Sequence, residues 1–272
     1  MTTNVTQEPR PLLATQVEAL KVEIYADRTQ VAAAAALRAA ASMRAEIAAH
    51  GRIAVMFATG ASQLEVLKRL TANTDLEWPR VTGFHLDEYA GLNPAHPASF
   101  RHYLRSNLLA RAPLGVFHEI EADRRDLDEV CRRYAAMLDA DFPRLGFAGI
   151  GESGHLAFND PHEADFEDPL FVRQVRLDPV SRMQQVAEGW FPDIASVPET
   201  AVTVTIPPIL RIRELLVVAP GSRKAEIVAR ALTEPIHAGC PATVLRRHQG
   251  ATLLLDQAAA AALPASLRPA FP

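Results

Sequence analysis

Apolar positions along the chain switch repeatedly between two periods, short continuous or alternating runs and longer segments with helical spacing. Residues 20–25 alternate as a short strand, and residues 28–50 form a long Ala-rich helix that ends at Gly51. Residues 52–58, RIAVMFA, read as a buried strand, followed by the turn Thr59-Gly60-Ala61-Ser62 and a helix over 63–70. The pattern recurs with a strand at 81–86, helices at 98–109 and 126–141, and a strand at 145–150. Strands at 201–206, 214–219 and 251–255 follow, with a helix at 222–232 between the last two. This alternation predicts an α/β fold in which mostly parallel strands are covered by helices. Residues 164–198 carry several prolines, acids and aromatics with poor periodicity, and are expected to run over the strand ends, where they could act as a lid. Residues 1–13 read as a loose tail, and with no Gly/Ser linker or shift in composition the whole of 1–272 reads as a single domain.

Composition narrows the function classes. A chain of 272 residues that is 49% hydrophobic and 22% charged can bury a large core. A net charge of −4, with Lys and Arg spread along the chain, provides no basic stripe for nucleic acid or an anionic membrane. Neither an export signal nor a membrane span is legible, which points to the cytoplasm. Cys131 and Cys240 lie far apart and outside any CxxC arrangement, which argues against disulfides and cysteine zinc sites and fits a reducing compartment.

In a parallel sheet the loops after the carboxyl ends of the strands gather into a crevice, so the residues just past each apolar run are where chemistry is expected. Three such places stand out. FATGAS at 57–62 has small residues that let backbone N–H groups face a ligand as the chain enters a helix, which suits an anion and equally describes an ordinary tight turn. FHLDEYAGL at 84–92 brings Asp87 and Glu88 to a strand end. On extended backbone the two acids point in opposite directions, so one can face a substrate for proton chemistry while the other fixes neighbouring backbone; a helix-capping or salt-bridged pair fits the same residues. GIGESGHLAFNDP at 149–161 places Gly149, Gly151 and Gly154 around His155, with Asn159 and Asp160 following. Histidine with a nearby carboxylate suits proton transfer near neutral pH, and the pattern equally describes a structural histidine in a Gly-rich loop. Those glycines also fit GxGxxG, but no acidic strand end follows about twenty residues later as a dinucleotide site requires. His85, His96, His102, His118 and His155 lack the paired helical spacing of zinc enzymes.

Together with HPASF at 96–100 and APGSRKA at 219–225, these motifs resemble, in type and order, the glucosamine-6-phosphate deaminases, over residues 20 to 257. The neighbouring 6-phosphogluconolactonase group usually has DER and GHTASLFP where this chain has DEY and GHLAFNDP, which favours the deaminase side. The resemblance implies a Rossmann-like, mostly parallel sheet with helices on both faces, a small sugar phosphate as substrate, no metal and no organic cofactor, and leaves a homo-oligomer open. It implies that Asp87 moves a proton from C2 to C1 of an opened 2-amino sugar phosphate while His155 helps to open the ring. Thr59, Gly60, Ala61, Ser62 and Lys224 correspond to phosphate-holding positions, and Glu88 and Gly151 join the substrate-binding set.

The chain departs from the family at two places beside the histidine. Ser153 stands where an aspartate is usual, and Asp160 stands for a glutamate one methylene longer; both are carried as catalytic candidates. The expectation is that a hydroxyl and a retracted carboxylate orient His155, with weaker support for an imidazolium. Arg182 is the nearest candidate for a second phosphate-binding arginine, and the segment after Pro161 lacks the Ser- and Arg-rich stretch of the allosterically regulated deaminases. The runner-up readings are lactone hydrolysis with His155 activating water, and a non-catalytic sugar-phosphate sensor.

Overall fold

A computed structural model describes residues 9–269. Its main sheet has eight strands in the order β1-β2-β11-β10-β7-β3-β4-β6. In chain order it begins with a hairpin of β1 (Leu13–Val17) and β2 (Leu20–Tyr25), then α1 (Arg28–His50), β3 (Ile53–Phe57), α2 (Ala61–Thr71) and β4 (Val81–His85). After β5 (Asp87–Tyr89) and α3 (Phe100–Leu104) come β6 (Val116–Phe117), α4 (Leu127–Ala140) and β7 (Leu145–Ala148). The last third holds β8 (Val172–Arg176), α5 (Pro179–Ala187), β9 (Thr200–Val204), α6 (Ile206–Arg211), β10 (Glu214–Val218), α7 (Ala225–Thr233) and β11 (Ala251–Asp256). All ladders of the main sheet are parallel except β1 with β2.

The central strands β3, β10 and β11 are buried along nearly their whole length, which explains why they are continuous apolar runs rather than alternating ones. Helix α1 starts at Asp27, whose side chain accepts from Gln30 N–H, and ends at Gly51 in the left-handed region. Its alanines let the helix lie close against the sheet.

Three expectations change. Residues 1–8 of the expected tail lie outside the described residues, but Leu13–Val17 is ordered as the edge strand β1. The expected helix 98–109 is a short α-turn, α3, capped by Ser99 and continued as a π-helical turn over Arg105–Leu109. Residues 164–198 are not irregular: β8 pairs with β9, which pairs with β5, making a second, antiparallel sheet in the order β5-β9-β8. VRQVR shows no period-2 alternation, because its two buried residues, Val172 and Val175, fall on opposite faces of the strand and pack into different clusters, and the other three positions are polar.

Candidate active site

Strand order fixes where the site forms. From β3 the chain moves outward through β4 to β6, then crosses back to place β7 on the other side of β3. The loops after β3 and β7 therefore diverge and leave a crevice at their carboxyl ends. A cavity of about 530 Å³ sits there, a volume suited to a small-molecule ligand. Loops following β2, β3, β4, β7, β10 and β11 all contribute to its walls, and α5 with Trp190 closes one side.

After β3, Gly60 takes φ 96°, a conformation open to glycine, and starts α2 without any side-chain cap. Gln63 N–H donates to Gly60 O at 3.0 Å, and the N–H groups of Ala61 and Ser62 ahead of it are left for a ligand, with Thr59, Gly60, Ala61 and Ser62 all on the cavity wall. Tyr103 Oη donates to Gly60 O at 3.0 Å and holds the turn from behind. After β10, Gly221 repeats the device at φ 99°, and Lys224 follows on the same wall. Burial pushes the Lys224 ammonium below its usual range, Arg223 adds to the shift, and the charges of Glu152 and Glu188 oppose it. An anion beside Lys224 would relieve that penalty.

After β4 the two adjacent acids part as strand geometry requires. Asp87 lines the cavity with 7% of its surface exposed. Burial, and secondarily the charge of Glu88, raises its carboxyl well above the ordinary carboxylate range, and no hydrogen bond offsets that. Its backbone is fixed by His85, whose Nδ1 lies 2.9 Å from Asp87 O while Nε2 accepts from Ile120 N–H at 2.8 Å. Burial drives His85 down to about 3, so this histidine is neutral. Glu88 does not reach the cavity, contrary to its place in the expected substrate-binding set. Fully buried, it accepts from Tyr89 N–H, Ser99 Oγ, Phe100 N–H and Arg101 N–H at 2.7–3.1 Å, and so it anchors the start of α3.

After β7, His155 and Gly151 face the cavity, while Ser153 and Asp160 stand behind the imidazole. A Cβ at Gly151 would collide with His155 Nε2, so this glycine makes room for the ring. The expectation of a retracted carboxylate is corrected: Asp160 Oδ1 lies 2.9 Å from His155 Nδ1. The shorter side chain reaches because Asp160 follows the Leu156–Asn159 bridge, which folds the loop back onto the histidine. Ser153 Oγ lies 2.8 Å from His155 Nδ1 and 3.2 Å from Asp160 Oδ1, and Ser181 Oγ lies 3.0 Å and 2.5 Å from the same atoms. Burial acts to raise the Asp160 carboxyl, but hydrogen bonds from His155, Ser181 and Asp178 N–H, with the histidine's charge, outweigh it and hold it down to about 2. With Asp160 ionised, Nδ1 carries the proton and Nε2 presents a lone pair to the cavity. Ser153 and Asp160, expected as catalytic, therefore act through His155 and do not touch the cavity.

Arg182 is not a phosphate ligand here, since its Nη2 donates to the carbonyls of Ile194 and Val197. Arg28 and Arg223 line the cavity instead, beside Gln184, Gln185 and Glu188. Arg28 follows β2 at the start of α1, a strand-end position that the same rule used for Asp87 would have flagged. The glutamines and Glu188 lie in the stretch without readable periodicity. Among the described residues no three His, Cys, Asp or Glu side chains form a metal-binding group, and no helix is long and apolar enough to cross a membrane.

The sequence model of the glucosamine-6-phosphate isomerases/6-phosphogluconolactonase family matches residues 26–254, which contain every wall of this cavity except the parts contributed by Asp256 and Ala258. The chain belongs to that family. Within the glucosamine-6-phosphate isomerase/6-phosphogluconolactonase family it is similar to glucosamine-6-phosphate deaminase from a Geobacillus species, with 33% identity over 79% of this chain and 86% of the relative. It is similar also to glucosamine-6-phosphate deaminase from Pseudarthrobacter chlorophenolicus, with 34% identity over 76% and 80%. Among solved structures, a monomeric glucosamine-6-phosphate deaminase superposes with a TM-score of 0.80 at 27% identity, covering 89% of this chain and 99% of its own. The 6-phosphogluconolactonase from Trypanosoma brucei superposes with a TM-score of 0.75 at 17% identity, covering 93% and 100%, which shows the shared Rossmann-like fold.

Proposed function

We propose that this protein converts a 2-amino-2-deoxyhexose 6-phosphate, with glucosamine-6-phosphate the first choice, to the ketose phosphate and ammonia. The observation that carries this reading is that Asp87, unbonded and with a raised carboxyl, shares one cavity with His155, Lys224 and the uncapped start of α2. A base for carbon acids must be available to the substrate rather than tied up in the protein, and Asp87 meets that requirement. Lys224, Arg28, Arg223 and the α2 N–H groups would hold the phosphate, and that remote binding energy orients the opened chain for reaction.

The steps follow from the groups present. His155 Nε2 takes the proton of the C1 hydroxyl and, as the C1–O5 bond breaks, hands it to the ring oxygen, so the pyranose opens to the aldehyde and the imidazole returns to neutral; Asp160 steadies the transient imidazolium. Asp87 removes the C2 proton while the C1 carbonyl oxygen takes up a proton from water, giving a neutral planar enolamine, and the carboxyl then returns its proton to C1 to leave the C2 iminium. Water then adds to the C2 iminium and ammonia leaves, so one carboxyl group serves both proton transfers. The relatives named above as glucosamine-6-phosphate deaminases support this choice of substrate. Following ammonium, ketose phosphate and acid release from glucosamine-6-phosphate, galactosamine-6-phosphate and 6-phosphogluconolactone tests it. Ammonium from an amino sugar is expected; acid from the lactone without ammonium would move the protein to the lactonase side.

A further inference from the structure

Helix α5 is built inside out. Its two buried residues are polar, Ser181 and Gln184, one turn apart on the same face, while Val180 and Met183 point outward with 55% and 49% exposure. Packing of apolar surface therefore does not explain why this face is buried. A buried hydroxyl and amide are costly unless fully hydrogen-bonded; the loop that carries His155 satisfies Ser181, and Gln184 is satisfied by that loop together with Glu188 at the end of α5. Gln184 Oε1 accepts from Glu152 N–H at 3.1 Å, and its Nε2 donates to Glu188 Oε1 at 2.8 Å. Ser181 Oγ donates to Asp160 Oδ1 at 2.5 Å and flanks His155 Nδ1 at 3.0 Å. The helix start adds a further bond, from Asp178 N–H to Asp160 Oδ2 at 2.9 Å. The first turn of α5 thus clasps both oxygens of the carboxylate behind the imidazole.

We propose that Ser181 is a positioning residue of this site, tying α5 to the His155–Asp160 pair so that the helix forming one cavity wall also sets the orientation of the imidazole. Gln184 is the second tie, one turn on. The inference rests on the proposed role of His155, and it accounts for Ser153: two hydroxyls, from the β7 loop and from α5, surround His155 Nδ1 and Asp160 Oδ1. A second carboxyl group placed there would face Asp160 at close range.

The test compares Ser181→Ala with Ser181→Thr, which keeps the hydroxyl. In steady-state assays with the amino sugar phosphate, Ser181→Ala is expected to lower kcat by about ten- to a hundredfold with KM within about twofold. Ser181→Thr should recover most of that loss. In nitrogen-edited proton spectra of the ligand-free protein, the His155 Nδ1–H signal, protected in the wild type, should broaden in Ser181→Ala through faster exchange with water and return in Ser181→Thr. Equal loss in both variants would reduce Ser181 to a packing role and overturn the proposal, as would an unchanged kcat and an unchanged imidazole signal in Ser181→Ala. If the wild type releases no ammonium from any amino sugar phosphate, the proposed function fails, and the imidazole signal still decides the role of Ser181.

Discussion

Asp160→Asn keeps the size of a fully buried side chain and removes its charge, and the structure sets the size of the consequence. The carboxyl is held down to about 2 from an ordinary 3.8, which corresponds to about 2 kcal/mol of folding stability at neutral pH. The sign follows from proton binding. Between those two values the unfolded chain takes up a proton that the native state does not, so the stabilisation is complete above about pH 5 and fades as pH falls towards 2. An amide would also turn an N–H toward one of the donors from His155, Ser181, Ser153 or Asp178, leaving a buried donor unmatched. Together these place the variant about 2–3 kcal/mol below wild type at pH 7, a Tm lowered by about 5–10 °C for a chain of this length. Thermal unfolding followed by circular dichroism from pH 7 to pH 3 measures the gap. It should shrink by roughly half at pH 3, since the wild type is by then losing the same contribution. A gap that stays constant over this range, or an asparagine variant as stable as wild type, would refute the assignment of Asp160 as an ionised partner of His155.

Asp87→Asn should raise thermal stability at pH 7, because a carboxyl whose folded value is raised costs the native state stability once pH exceeds the unfolded value near 3.8; a melting scan at pH 7 against one near pH 4 should show the gain only at the higher pH. Lys224→Met removes a half-buried cation from the cavity wall, so KM should rise about tenfold or more and competition by inorganic phosphate should weaken, read from inhibition kinetics. Glu88→Gln should cost about 3 kcal/mol in chemical denaturation, because its amide N–H2 must face one pair of buried donors, Ser99 Oγ with Arg101 N–H or Tyr89 N–H with Phe100 N–H, while its effect on KM stays small because the side chain is outside the cavity.

The main sheet was legible because central parallel strands buried on both faces appear as unbroken apolar runs, as IAVMF and ELLVV do. Site residues at strand ends were legible for the same reason, Asp87 and His155 among them. Strand alternation also separated Asp87 from Glu88 in direction, though not which of them enters the cavity. What the sequence concealed lies where local pattern and burial disagree. Strand β8 carries two arginines and a glutamine and pairs in a small antiparallel sheet, so its signal is weak. Helix α5 hides polar residues and exposes apolar ones, the reverse of the usual amphipathic helix, so its inward face cannot be recognised from periodicity. The reach of Asp160 to His155 depends on a loop reversal at Leu156–Asn159, which residue spacing does not encode.

Running the reaction on glucosamine-6-phosphate in deuterium oxide, with the methylene at C1 of the product read by proton and carbon NMR, tests the proton shuttle itself. The account predicts that the hydrogen added at C1 enters one fixed position, as deuterium to the extent that the Asp87 carboxyl exchanges with solvent and otherwise as the transferred C2 proton, with ammonium formed alongside by the wild type and neither product formed by Asp87→Asn. Deuterium at C1 in an Asp87→Asn protein that turns over at the wild-type rate would contradict it.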